Sequence, residues 1–352
     1  MTPRLKKLIA EFSHHKNIDG LLTVNDTNIR YLTDFPASES WLLVTPKKAV
    51  YITDFRYILE AKAGLKGVAV KQYSKAPCVV LCELLKNLKV KRLGFDERHT
   101  SVAQFKKLKE FCPRRTKLVP ATGLVESLRE IKEPLEIEQI RACLKLHFKA
   151  LDFLKKVVKP GVTEQQVLAH LERFVKSHKA GFAFSPIIAS GPNSCFPHAK
   201  VSDRVIRNNE PVLIDIGIDI NGYKSDLTRN FFLGRIQGRV KQVFEAVKLA
   251  QQESITMIKP GVAVAQVDAK ARNVLRKFGL AKYFGHSLGH GVGLDIHENP
   301  RLSCKSASIL EPGMVVTVEP AVYIPGQFGI RVEDMVLVTE QGCEVLSGYY
   351  DQ

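Results

Sequence analysis

The sequence predicts two mixed units, an α/β layer domain over residues 1–125 and a pseudo-symmetric α+β domain over residues 126–352. Three observations carry this expectation. Helical and extended patterns alternate through the first part, which is the grammar of a layered α/β domain. In the second part a helix, a Lys-Pro-Gly-Val stop and another helix occur twice, at 159–162 and at 259–262. Such a recurrence suggests an internal duplication around a shared cleft. Finally, carboxylates sit in apolar β-type runs after residue 210, where an unpaired charge is costly.

At 352 residues the chain is long for one core and suits two domains. Its 45% hydrophobic and 25% charged content is that of an ordinary globular protein. No apolar run approaches the length of a membrane span. The first residues are basic without an apolar h-region, so no export signal is expected. Cysteines 78, 82, 112, 143, 195, 304 and 343 are odd in number, scattered and free of any C-x-x-C pair. That usage favours reduced thiols and a cytoplasmic location over a disulfide frame.

The formal net charge is +16. Residues 1–125 hold 23 Lys and Arg against 11 Asp and Glu, or +12, and residues 126–352 hold 29 against 25, or +4. The excess falls in short clusters such as Lys106-Lys107-Leu108-Lys109, without interleaved aromatics or a binding motif. From sequence it reads as a solvated basic surface and not as a nucleic-acid site.

In chain order, helices are expected over 3–15, 55–63, 77–87 and 101–111, and strands over 20–24, 41–45, 49–53, 68–72, 92–95 and 117–119. The first domain shows no nucleophile-base pairing and no phosphate-binding glycine loop. A helical stretch over 124–133 stops at Pro134, and a long amphipathic helix follows over 135–158. Thr163, with Gln166 in capping-box position, opens the next helix. The second copy places helices over 241–258 and 264–278. Between the copies, the apolar run from Val212 to Ile220 carries Asp215, turns at Asn221-Gly222 and returns to Asp226. Asn-Gly between apolar runs is the strongest short hairpin signal.

Five motifs after residue 180 hold metal-type side chains: the loop 190–198 ending in His198, the Asp215/Asp226 hairpin, the 285–301 stretch with His286, His290, His297 and Arg301, the Glu319-Pro320 strand end, and Arg331-Val332-Glu333-Asp334. Taken singly each is weak: a His in a loop is often surface, and the glycines around His286 and His290 exclude the helical two-His zinc motif. Together, four carboxylates (Asp215, Asp226, Glu319, Glu333) and one imidazole (His290) form an oxygen-rich set. It suits two divalent ions, Mn²⁺ or Co²⁺ first, with Zn²⁺ also compatible. Arg331 and Glu333 are two apart and are expected on one strand face.

The order Asp, Asp eleven later, His in GHG, Glu in VEP and Glu in RVED resembles the pita-bread metallopeptidases. The SGPNS…PH loop, the GY-x-SD-x-TR hairpin and HENPR make the chain most similar to the Xaa-Pro dipeptidase (prolidase) and aminopeptidase P branch. The resemblance covers nearly the whole chain, because NIRYLTDF at 28–35 is similar to that branch's creatinase-like N-terminal domain, where Gly is commoner than Asp34. It implies a pita-bread catalytic domain with a curved antiparallel sheet, a homodimer, and hydrolysis of Xaa-Pro bonds in di- or oligopeptides by a hydroxide bridging two metals. It also implies roles. Asp226 and Glu333 bridge, Asp215 binds one ion, and His290 and Glu319 bind the other. Glu319 is in addition the general base. His198 and His297 orient substrate and stabilise the tetrahedral intermediate, His286 lines the pocket, and Arg331 supports the carboxylates. Arg301 has the chemistry to bind a substrate carboxylate.

Dipeptidase and aminopeptidase P share all these motifs. The N-terminal domain argues against a methionine aminopeptidase, and five intact ligands argue against a metal-free creatinase-like hydrolase. From another class, a binding protein on this scaffold would use the basic N-terminal surface on nucleic acid, with steep salt dependence.

Overall fold

In the first half, short buried strands alternate with helices. The structure, a computed structural model, describes residues 1–14, 18–236 and 238–348. The chain forms two compact units, Met1–Arg129 and Glu130–Gln352. In the first, β1 (Gly20–Thr23), β2 (Trp41–Val44), β3 (Ala49–Thr53), β4 (Ala69–Gln72), β5 (Arg92–Phe95) and β6 (Lys117–Pro120) form one sheet ordered β4-β3-β2-β1-β5-β6. β1, β5 and β6 run parallel, and β2 runs against both β1 and β3. Its helices are α1 (Pro3–His14), α2 (Asp26–Thr33), α3 (Ile58–Gly64), α4 (Pro77–Asn87), α5 (Val102–Phe111) and α6 (Leu124–Glu130). The helix expected over 3–15 reaches His14, and position 15 lies outside the described residues.

Periodicity does not announce α2, which is only eight residues long. Its signal is the cap: the Asn25 side chain accepts from the Asn28 amide at 2.8 Å. The helix ends on Asp34, whose φ of 54° is left-handed. Glycine adopts that conformation without a Cβ penalty, and Asp tolerates it less well. This is a physical reason for the glycine at that place in the resembling domains.

In the second unit, α7 (Pro134–Val157) starts one residue ahead of the expected 135, and α6 before it ends at Glu130, three residues short of the expected 133. Proline fits the first helical position because its missing N–H would be unpaired there anyway. α8 (Glu164–Ser177) carries the expected Thr163–Gln166 capping box. In the second copy α9 (Gly238–Ile255) ends three residues short of the expected 258, and α10 (Val264–Lys277) follows. The duplication extends to the backbone. Gly161 and Gly261 have φ of 90° and 83°. Gly161 N–H donates to Ile206 O and Ile206 N–H to Val162 O, both at 2.9 Å; Gly261, Leu310 and Val262 repeat the pair at the same distances.

The remaining strands are β7 (Gly181–Phe182), β8 (Ile187–Ser190), β9 (Pro211–Ile216), β10 (Ile218–Ile220), β11 (Tyr223–Lys224), β12 (Leu227–Phe232), β13 (Gly289–Gly291), β14 (Glu298–Leu302), β15 (Val315–Val318), β16 (Ala321–Ile324), β17 (Phe328–Arg331), β18 (Asp334–Val338) and β19 (Cys343–Val345). They pair as β11-β10-β7, β12-β9-β8, β14-β13-β15-β18-β19 and β16-β17, in every case antiparallel. The apolar run expected to continue from 212 to 220 breaks at Gly217, where a Cβ would meet Phe184 and Ala183 at 2.6 and 2.7 Å. Asn221 and Gly222, with φ of 51° and 78°, form the two-residue turn between β10 and β11, as a type I′ hairpin requires. Beneath the second copy of the helix pair, α9 and α10 pack Val247, Ala250, Val267 and Ala271 into a core with Val316, Val318, Ile330 and Val336 from the strands.

Candidate metal centre

The strands bring the ionisable motifs together. Asp215 lies in β9 opposite Thr228 of β12, and Asp226 immediately precedes β12. His290 is the middle residue of β13, Glu319 follows β15, and Glu333 precedes β18. Arg331 and Glu333 therefore do not share one strand: β17 ends on Arg331, and Val332 and Glu333 lie in the connection to β18. They still meet through Thr228, whose hydroxyl accepts from Arg331 Nε and donates to Glu333 Oε2, each at 2.8 Å.

Asp226, His290 and Glu333 each offer a ligand atom within 4.8 Å of the other two. Glu319 reaches the same group, its Oε1 3.4 Å from His290 Nε2, with Asp226 Oδ2 3.6 Å from that nitrogen. Asp215 is turned to Arg331, accepting from Nη2 at 2.6 Å through Oδ2, while its buried Oδ1 has no hydrogen-bond partner. An orphaned buried carboxylate oxygen beside this group is what a missing cation leaves behind.

The imidazole decides the chemistry. His290 Nδ1 lies 3.1 Å from the Gly291 carbonyl oxygen, so that nitrogen carries the proton. Nε2 then turns a lone pair toward Asp226 and Glu319. Burial pushes His290 down to about 4, which keeps the ring neutral. A lone pair facing two carboxylates is stable only around a cation or an extra proton. The carboxyls show the same strain. Burial pushes Glu319 up to about 8. Asp226 and Glu333 are raised well above the ordinary range, first by burial and then by neighbouring carboxylates. The donor set therefore fits divalent ions.

Around it, Arg331 also donates to the Tyr323 hydroxyl, which sits 3.3 Å from His286 Nε2. His286 is held at Nδ1 by the Ser287 carbonyl oxygen at 2.8 Å and is pushed by burial down to about 4. His198 and His297 are exposed. The His297 ring stands edge-on to His290 at 4.4 Å between centroids, and His198 lies within electrostatic range of Asp215, His286 and His297. Arg301 Nε donates to Ser287 Oγ at 3.1 Å. Sequence reasoning did not single out Thr228 or Tyr323. Thr228 had a signal, since it stands two residues from Asp226 on an extended segment and so shares its face.

The first unit holds a second trio, Asp96, His99 and Glu126, also within 4.8 Å. There Asn25 Oδ1 is committed to capping α2, so its Nδ2 donates to His99 Nδ1 at 3.2 Å. The proton is left on Nε2, facing Asp96 at 3.8 Å and Glu126 at 3.6 Å. This trio is closed by its own N–H and by Arg98, 3.7 Å from Asp96 and 3.6 Å from Glu126.

The description "Metallopeptidase family M24" matches residues 138–340, and "Creatinase/Prolidase N-terminal domain" matches residues 4–131. An uncharacterised peptidase of Bacillus subtilis is 37% identical over 98% of this chain and 97% of its own length. An Xaa-Pro dipeptidase of Pyrococcus furiosus is 33% identical over 99% of this chain and 98% of its own. Among solved structures, an Xaa-Pro dipeptidase from Bacillus anthracis superposes with a TM-score of 0.95 at 34% identity, covering 99% and 98% of the two chains. An X-Pro aminopeptidase from Thermotoga maritima gives 0.89 at 33% identity, covering 98% and 97%. The cluster of Asp226, His290 and Glu333 thus lies within the matched residues 138–340, and the chain belongs to metallopeptidase family M24, with a creatinase/prolidase N-terminal domain.

Proposed function

We propose that the protein is an exopeptidase that uses two divalent ions to hydrolyse the bond between an N-terminal residue and a following proline, in dipeptides or short peptides. The observation that carries this reading is the His290 lone pair set among buried carboxylates. Residues 126–352 do the chemistry, and residues 1–125 shape the assembly. Asp215, Asp226, His290, Glu319 and Glu333 would hold the ions, with Asp226 and Glu333 shared between them. Bound there, such ions polarise the scissile carbonyl and lower the pKa of water. Mn²⁺ suits the oxygen-rich set best, then Co²⁺ and Zn²⁺.

Glu319 Oε takes the proton of the attacking water and passes it to the departing proline nitrogen. Glu319 must be ionised to accept that proton, and a cation held by the same carboxylates would oppose the upward push of burial and keep it so. His198 and His297 orient the peptide and donate to the developing oxyanion. His286, fixed by Tyr323, lines the pocket, and Arg331 positions Asp215. An Xaa-Pro amide has no N–H, so recognition must work through the free N-terminus, the carbonyl and the ring. The Xaa-Pro dipeptidases and the X-Pro aminopeptidase among the similar proteins support proline as the residue after the cleaved bond. No helix of the described residues is long and apolar enough to cross a membrane. A cytoplasmic homodimer completes the proposal.

Hydrolysis of an Xaa-Pro dipeptide and an Xaa-Pro-Xaa tripeptide, by chelated and then Mn²⁺-reloaded protein, tests it. Cleavage of the dipeptide alone assigns a dipeptidase, and preferential cleavage of the tripeptide an aminopeptidase. Silence on both after reloading removes the proline-peptidase reading.

A further inference from the structure

We propose that one end of the N-terminal sheet is a docking site for single-stranded nucleic acid, independent of the peptidase centre. Strand register determines which loops share that end. β1, β3, β4, β5 and β6 begin there and β2 ends there. The loops 45–48 and 65–68 supply Lys47, Lys48 and Lys66, and 88–92 and 113–117 supply six more Lys and Arg, from Lys89 to Lys117. Among the described residues of these loops and of 18–20, Asp19 is the one carboxylate. It is occupied by the backbone amides of Lys91 and Arg92, at 2.7 and 2.9 Å. The opposite end of the sheet carries Asp26, Glu39, Asp54, Asp96 and Glu97, against Arg56 and Arg98, which pair with Asp54 and Asp96 there. The unit is electrically polarised.

Sequence order scatters these cations into short clusters, and the fold gathers them. All but Arg92 are exposed, and none of those eight forms an ion pair with a described residue. The C-termini of α4 and α5 lie here too, but a helix end offsets only about half a charge. Two ends therefore account for about one of the nine, and exposed Glu110 in the last turn of α5 for one more. At the same end is a shallow, open hollow whose walls include Lys86, Phe111, Arg114 and Arg115. Phe111 is 37% exposed there. Guanidinium groups beside an exposed ring in an open hollow match a phosphodiester backbone with a base stacked on the ring. A duplex hides its base faces, which favours a single strand as the occupant.

The test is fluorescence anisotropy of a labelled oligodeoxythymidine of about 12 nucleotides, within the usual range of single-strand sites, titrated with the full-length protein. Affinity is expected to fall with salt, with a log–log slope of about −0.7 per neutralised phosphate. Arg114→Glu with Arg115→Glu should weaken binding at least about tenfold. Phe111→Ala should weaken it about fivefold or more with the salt slope kept, since it removes stacking and no charge. All variants should retain wild-type peptide cleavage and melting temperature, which shows that they are folded. Lys47→Glu with Lys48→Glu gives a second charge reversal remote from the hollow. Wild-type affinity in the double arginine variant overturns the proposal. So does an unchanged Phe111→Ala, or equally tight binding of polyglutamate or of anionic phosphatidylserine vesicles.

Discussion

Two clusters of one Asp, one His and one Glu stand in this chain, and a single proton separates them. In the second unit the Gly291 carbonyl takes the Nδ1 proton of His290, so Nε2 faces Asp226 and Glu319 as a lone pair. In the first unit Asn25 donates to Nδ1 of His99, so Nε2–H faces Asp96 and Glu126. The distances to the carboxylates are alike, 3.4–3.6 Å against 3.6–3.8 Å. One arrangement needs a cation, and the other has an N–H of its own and Arg98 beside both carboxylates. Residue type and spacing are therefore insufficient to identify a metal site, and the hydrogen bond on the far ring nitrogen decides it.

The largest effect expected from breaking this contrast is at Asp226. Asp226→Asn should lower peptide turnover by about a thousandfold or more, since it alters the carboxylate proposed to be shared by the two ions. In chelated protein the same variant should melt higher than wild type, because one of several mutually repelling buried carboxylates is gone. Asp96→Asn in the other cluster should leave turnover and metal content unchanged. Glu319→Gln should reduce kcat by about 10²–10⁴-fold with little change in KM, the signature of a lost proton carrier.

The pH dependence of stability gives the next effect. In metal-free protein Glu319 moves from 4.5 up to about 8 on folding, so the folded state holds that proton more tightly than the unfolded state. Its contribution is complete below about pH 4.5 and is lost as pH rises toward 8. Thermal melts of chelated protein should show falling stability through that window, and saturating Mn²⁺ should flatten it by taking the proton's place. In the other cluster Asp96 is raised and Glu126 lowered, so their contributions oppose and Mn²⁺ should not affect them. Asn25→Ala, which removes the α2 cap and frees the His99 tautomer, should cost about 1 kcal/mol by chemical denaturation. The smallest change is Asp34→Gly, which relieves the left-handed residue and should stabilise by about 0.5–1 kcal/mol.

Much of this was legible because it is local. The Asn221-Gly222 hairpin, the Thr163 capping box and the two Lys-Pro-Gly-Val turns are set by neighbouring residues, and the structure contains them all. The types and order of the ionisable groups were also readable, together with the family they indicate. What sequence could not supply depends on contacts between distant segments. The break at Gly217 comes from Phe184 and Ala183 pressing on it. The turn of Asp215 toward Arg331, and the roles of Thr228 and Tyr323, come from β9, β12, β16 and β17 meeting. Pro134 was legible as the boundary between two helices, and the structure moves it by one place, into the first turn of α7. The basic end of the N-terminal sheet was hidden for the same reason, since only strand order collects residues 47 to 117 on one side.

The most direct test of the central claim is a Mn²⁺ titration of chelated protein that follows bound metal and Xaa-Pro cleavage together. The account predicts two ions per chain, turnover that appears as they bind, and loss of both in Asp226→Asn while Asp96→Asn behaves as wild type. Full turnover in the chelated protein, or metal uptake that survives Asp226→Asn and disappears in Asp96→Asn, would contradict it.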